Sequence, residues 1–117
     1  MIFQLDTSTK RTIGVAALQA RIDANNCNDL KKAFSEWLQY SPNIVFDCSG
    51  LEFIDSSGLG AFVSCLRKAL EEQGDLRLAG LGPKVSLIFE LTKAIKLFSV
   101  YPDSSSAVAS FSSAVSA

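Results

Sequence analysis

Phe53-Ile54-Asp55-Ser56-Ser57-Gly58-Leu59-Gly60 breaks an apolar run with an acid, two hydroxyls and two glycines. What flanks this block decides the fold. Upstream, Asn43-Ile44-Val45-Phe46-Asp47 is a compact apolar run after Pro42 and reads as a buried strand. Leu51 to Ile54 either extends that sheet or forms an apolar loop. From Gly58 onward the period changes. Leu59, Phe62, Val63, Leu66, Ala69 and Leu70 share one helical face, and Arg67, Lys68, Glu71 and Glu72 lie off it. The block therefore marks the passage from a strand to a helix.

The same alternation continues in both directions. Ile2–Leu5 and Thr12–Leu18 flank a Thr7–Arg11 turn and predict an N-terminal hairpin. Ile22–Asn26 is loop chemistry, in which Asn25 or Asn26 can cap a helix and Asp29 suits its first turn. Cys27, Leu30, Phe34, Trp37 and Leu38 recur at helical spacing, in a helix ending near Tyr40. Trp37 reads as core, and Lys31-Lys32 as a solvated face. After the second helix, Gly74 fits a left-handed stop. Leu76–Ala79 is a short strand, and Pro83 suits the first position of a helix carrying Val85, Ile88 and Phe89 inward. Leu97–Tyr101 predicts a last strand. Val108, Phe111 and Val115 give the serine- and alanine-rich end a helical period. This order predicts one domain over residues 1–117, an α/β sandwich with a mixed sheet of about five strands and four helices.

Composition narrows the chemistry. The chain has 117 residues, 48% of them hydrophobic, which is ample for a core. Its 11 basic and 12 acidic residues leave a formal net charge of −1. Nucleic-acid binding rests on clustered Lys and Arg, so no direct nucleic-acid partner is expected. No apolar stretch is long enough to span a bilayer, and Met1–Asp6 lacks the pattern of a signal peptide. A cytoplasmic protein without membrane insertion is expected. Cys27, Cys48 and Cys65 are odd in number and widely spaced, and read as small buried hydrophobes. The chain has no histidine, so a Ser-His-Asp triad cannot be built and a zinc site would lack its usual ligands. No phosphate-cradling Gly-x-x-x-x-Gly-Lys loop is present. The expectation is a binding protein without cofactor, metal or catalytic residues.

Asp55, Ser56 and Ser57 then fall outside the carboxyl end of a sheet strand, at the N-terminus of a helix. Function gathers at such ends in open α/β sheets, and helix N-termini hold anions. Two readings of the serines are open. One is that a hydroxyl caps the helix, with Ser57 the better placed. The other is that Ser56 faces a partner and is modified. Gly58 would let a partner's backbone come close, and Gly60 leaves the outer face of the first turn bare.

The block Phe53–Gly60 resembles the signature of bacterial anti-sigma factor antagonists, in the wider domain family shared with sulfate transporters. Gly82-Pro83-Lys84-Val85 is similar to that family's proline-initiated third helix, and Ile22-Asp23 to the end of its Gly-x-Leu-Asp loop. Ala20-Arg21 stands where the family usually has glycine and a polar residue, and Lys93-Ala94 replaces a common Gly-Leu. The resemblance implies that the unphosphorylated protein binds an anti-sigma factor that is also a serine kinase, which frees a sigma factor. It implies phosphorylation at Ser56, directly after the aspartate, and resetting by a serine phosphatase. Asp23, Asp55, Ser56, Ser57, Gly58 and Leu59 would form the partner surface. The alternative within the same resemblance is a cytoplasmic regulatory subunit of a lipid-transport ATPase or a signalling assembly.

Overall fold

In the computed structural model, which describes residues 1–113, the N-terminal hairpin is built from β1 (Ile2–Asp6) and β2 (Ile13–Ile22). Helix α1 (Cys27–Trp37), strand β3 (Asn43–Ile54), helix α2 (Ser56–Glu71) and strand β4 (Asp75–Ala79) follow. Helix α3 (Pro83–Leu91), a 3-10 turn (Ala94–Leu97), strand β5 (Val100–Tyr101) and helix α4 (Ser104–Ser113) complete the order. The strands lie side by side as β1-β2-β3-β4-β5. The first pair is antiparallel and the other three are parallel. This is the mixed five-stranded sheet with four helices that the alternation predicts. Val115 lies outside the described residues.

Each face of the sheet has its own core. On one face, Phe34 and Trp37 of α1, Phe62 and Cys65 of α2 and Val85 and Phe89 of α3 pack against Ala16, Phe46 and Leu78. Aromatic rings form a row across this core. Phe3 stacks on Trp37 with centroids 5.0 Å apart, and Phe46 meets Phe62 edge to face at 5.0 Å. On the other face, α4 covers Ile13, Val45 and Ala79 with Ala107, Val108 and Phe111. Period-2 alternation along β2 and β3 sends neighbouring residues to opposite cores.

Several local expectations change. β3 is a single strand of 12 residues, so Leu51–Ile54 extends the sheet. The last strand shrinks to Val100–Tyr101, because Ala94–Leu97 winds into a 3-10 turn after Lys93 adopts a left-handed φ of 66°. Leu70 is 56% exposed. The inward stripe of α2 runs through Ala61, Phe62, Cys65, Leu66 and Ala69, and Leu70 falls just outside it. The left-handed stop of α2 sits on Gln73, with φ 63°. Gly74 answers a different need: a Cβ there would overlap the Pro42 carbonyl oxygen.

Candidate functional site

β2 is irregular where it approaches the block. Its register against β3 shifts between Ala17 and Gln19 and again between Ala20 and Arg21. Ala20 takes a left-handed φ of 59°, a conformation that burdens any residue with a Cβ. After this distortion, Ile22 pairs with Ile54, and its carbonyl accepts from Asp55 N at 3.3 Å. The ends of β2 and β3 are thus level, and the loops leaving them lie side by side.

Asp55 ties those loops together. It is the N-cap of α2, with extended backbone. Its Oδ1 accepts from Gly58 N at 2.9 Å, and its Oδ2 accepts from Ala24 N at 3.2 Å. Its carbonyl accepts from Leu59 N at 2.9 Å. The expected serine cap is therefore corrected. The carboxylate performs it, and Ser56 and Ser57 occupy the first two helical positions with their side chains exposed. A helix leaves its leading amides without intrahelical partners. Here Asp55 N and Gly58 N are satisfied, so the amides of Ser56 and Ser57 carry the positive end of the helix.

Gly58 is buried, and a Cβ on it would overlap the Ile22 carbonyl oxygen. The close approach it permits is to β2 within the chain, which corrects the expectation of a partner's backbone there. Leu59 is half-buried against the first core. Gly60 is exposed, with open space where a side chain would stand.

Asp23 lies in the adjoining loop and is 8% exposed. Its carboxylate is committed within the loop, accepting from Arg21 Nε at 2.8 Å and from Asn25 N at 2.9 Å. Its own amide donates to Asn26 Oδ1 at 2.8 Å, and Asn26 Nδ2 donates to the Arg21 carbonyl at 2.8 Å. Asn26 is the N-cap residue of α1, as expected, but its side chain braces the preceding loop and makes no cap bond to the helix. Arg21 also lies over the Phe53 ring, 4.7 Å from its centroid. Sequence reasoning missed this stack. Its signal is the pairing of β2 and β3, which sets Arg21 beside Phe53.

The site is thus a shelf at the ends of β2 and β3. Two exposed hydroxyls and two uncommitted amides lie on it, framed by Asp23 and Asp55. Among the described residues, no group of three His, Cys, Asp or Glu could hold a metal ion. Among the same residues, no helix is long and apolar enough to cross a membrane.

Comparison with known proteins agrees with this fold. BtrV of Bordetella bronchiseptica, named as a candidate anti-sigma factor antagonist, is 26% identical over 102 residues, which cover 86% of this chain and 88% of that protein. The anti-sigma-B factor antagonist of Listeria monocytogenes is 34% identical over 73 residues, 61% of this chain and 63% of the relative. Among solved structures, the Bacillus cell fate determinant SpoIIAA in its phosphorylated form has a TM-score of 0.68 at 20% identity, with 94% of this chain and 99% of that chain covered. The STAS domain family matches residues 4–107, and the chain belongs to that family.

Proposed function

We propose that the chain is an anti-sigma factor antagonist controlled by phosphorylation at Ser56. In this reading the unphosphorylated form binds an anti-sigma factor that is also a serine kinase, and a sigma factor is released in the cytoplasm. The kinase transfers the γ-phosphoryl group of ATP to Ser56 Oγ, and a serine phosphatase removes it. The chain is the substrate of that chemistry and supplies no catalytic group.

One observation carries the reading. Asp55 caps α2, so the exposed Ser56 hydroxyl is not required for the cap and stands beside two uncommitted amides. A phosphate there gains the favourable field of the helix start, so the fold is kept. Its charge of about −1.5 to −2 is added next to Asp55, which makes the shelf repel an acidic partner surface. The names of the relatives support the same reading, and the resemblance of the motif favours the serine directly after the aspartate. Ser56, Ser57 and Leu59 supply the contact. Asp23, Asp55 and Gly58 act chiefly by holding the shelf in shape, since their groups are bonded or packed within the chain.

The test is incubation with the cognate anti-sigma kinase and ATP, followed by mapping of phosphate by mass spectrometry. Phosphate on Ser56, abolished by Ser56→Ala, is expected. Ser56→Asp should weaken binding to the kinase and leave the circular dichroism spectrum unchanged. Phosphate mapped to Ser57 alone, or full binding by Ser56→Asp, refutes the assignment.

A further inference from the structure

β1 is an edge strand, hydrogen-bonded to β2 on one side only. Natural proteins usually blunt such an edge with lysine, proline or a bulge. β1 has none of these. Its register with β2 runs without interruption from Ile2 to Asp6, and Asp6, at its end, is its sole charged residue. The opposite edge, β5, is only two residues long. The sheet therefore has one bare edge and one blunt one.

The bare edge borders an apolar groove. Phe3 and Leu5 point to the same side of the strand, and the groove beside them is lined by Trp37, Tyr40, Glu36 and Gln39 of α1 and its exit. Tyr40 is 65% exposed and Leu5 45%. An unpaired strand edge is satisfied by another extended strand.

We infer that the occupant is a second copy of this chain, joined β1 to β1 in antiparallel fashion about a two-fold axis at Gln4. In that register Phe3 of one copy faces Leu5 of the other, and Gln4 faces Gln4. Four apolar side chains then meet on the face where the grooves lie, and Tyr40 of each copy closes over them. No like charges are set opposite one another, since Asp6 faces Ile2 of the other copy. The charges around the strand also match. Trp37 is stacked on Phe3 near the start of β1, and Glu36, its neighbour in α1, lines the groove beside that strand. Antiparallel pairing brings that start to the end of the other β1, where the exposed turn after Asp6 carries Lys10 and Arg11. Because β5 is too short to pair in the same way, the assembly closes at two copies. A five-residue edge with one groove on each side belongs to the small end of interface sizes, where association is weak and reversible.

The experiment is sedimentation equilibrium of the full chain from about 5 to about 500 μM, the range in which small interfaces associate. A reversible monomer–dimer equilibrium is expected. Leu5→Lys, at an exposed position and with the residue that natural edges use, should raise the dissociation constant at least ~10-fold and leave circular dichroism unchanged. K10E/R11E should also weaken the dimer, and adding Glu36→Lys to that chain should restore it. A monomer throughout the range overturns the inference. So does a dimer indifferent to Leu5→Lys and to the charge exchange, or a series of larger oligomers.

Discussion

Replacing Asp55 with alanine removes two hydrogen bonds that serve different elements. The first is the cap on Gly58 N, and losing a cap costs about 1 kcal/mol. The second holds Ala24 N in the loop after β2, and a single hydrogen bond contributes about 1 kcal/mol net. Asp55→Ala should therefore lower stability by about 2 kcal/mol. For a chain of 117 residues that is a fall in Tm of roughly 8 °C. Asp55→Asn keeps one carbonyl oxygen for Gly58 N and should lose about half as much. Ser57→Ala removes an exposed hydroxyl that the cap does not use, and should stay within about 0.5 kcal/mol of the parent. Urea denaturation of the four proteins, monitored by circular dichroism, gives these values. A loss at Ser57→Ala equal to that at Asp55→Ala would refute the assignment of the cap. Equal stability of parent and Asp55→Ala would refute the view that this carboxylate joins the two loops.

Ala20 holds a φ of 59° at a register shift in β2, so Ala20→Gly should stabilise the fold by about 1 kcal/mol, and an unchanged or lower urea midpoint would show that the strain is absent. Burial pushes the Cys65 thiol up to about 12 from an ordinary 9.0, while the thiol of an unfolded chain ionises near its ordinary value. The stability it contributes is therefore fully present below about pH 9 and declines as pH rises from there towards about 12. Cys48 is pushed up as well, first by burial and then by the neighbouring Asp47 charge. Titration with a thiol reagent at pH 8 should accordingly modify Cys27, which is half-buried, well before Cys48 and Cys65, and equal rates at all three would contradict the packing.

The order of elements was legible before any fold was known, because each rests on a local period. The helical spacing of Leu30, Phe34 and Trp37 and the apolar run at Ile44–Phe46 carry their own geometry, and both are buried as expected. The junction at Asp55, Ser56 and Ser57 was legible too, since an apolar strand must become a helix there. What remained open depended on neighbours distant in the chain. Asp55 and Ser57 are both good caps by residue type. Asp55 performs the cap because β2 holds its amide through the Ile22 carbonyl, which sets the aspartate's backbone extended at the start of α2. Asp23 reads as a loop acid, and only the fold shows that Arg21 and Asn25 occupy its carboxylate. Gly58 reads as an opening for a partner, yet it is filled by the Ile22 carbonyl of β2. Periodicity reports which face of an element is apolar. Which polar groups bond to which, and how far a strand runs before it bends, are decided when separate segments compete for the same donors and the same space, and that competition exists only in the folded chain.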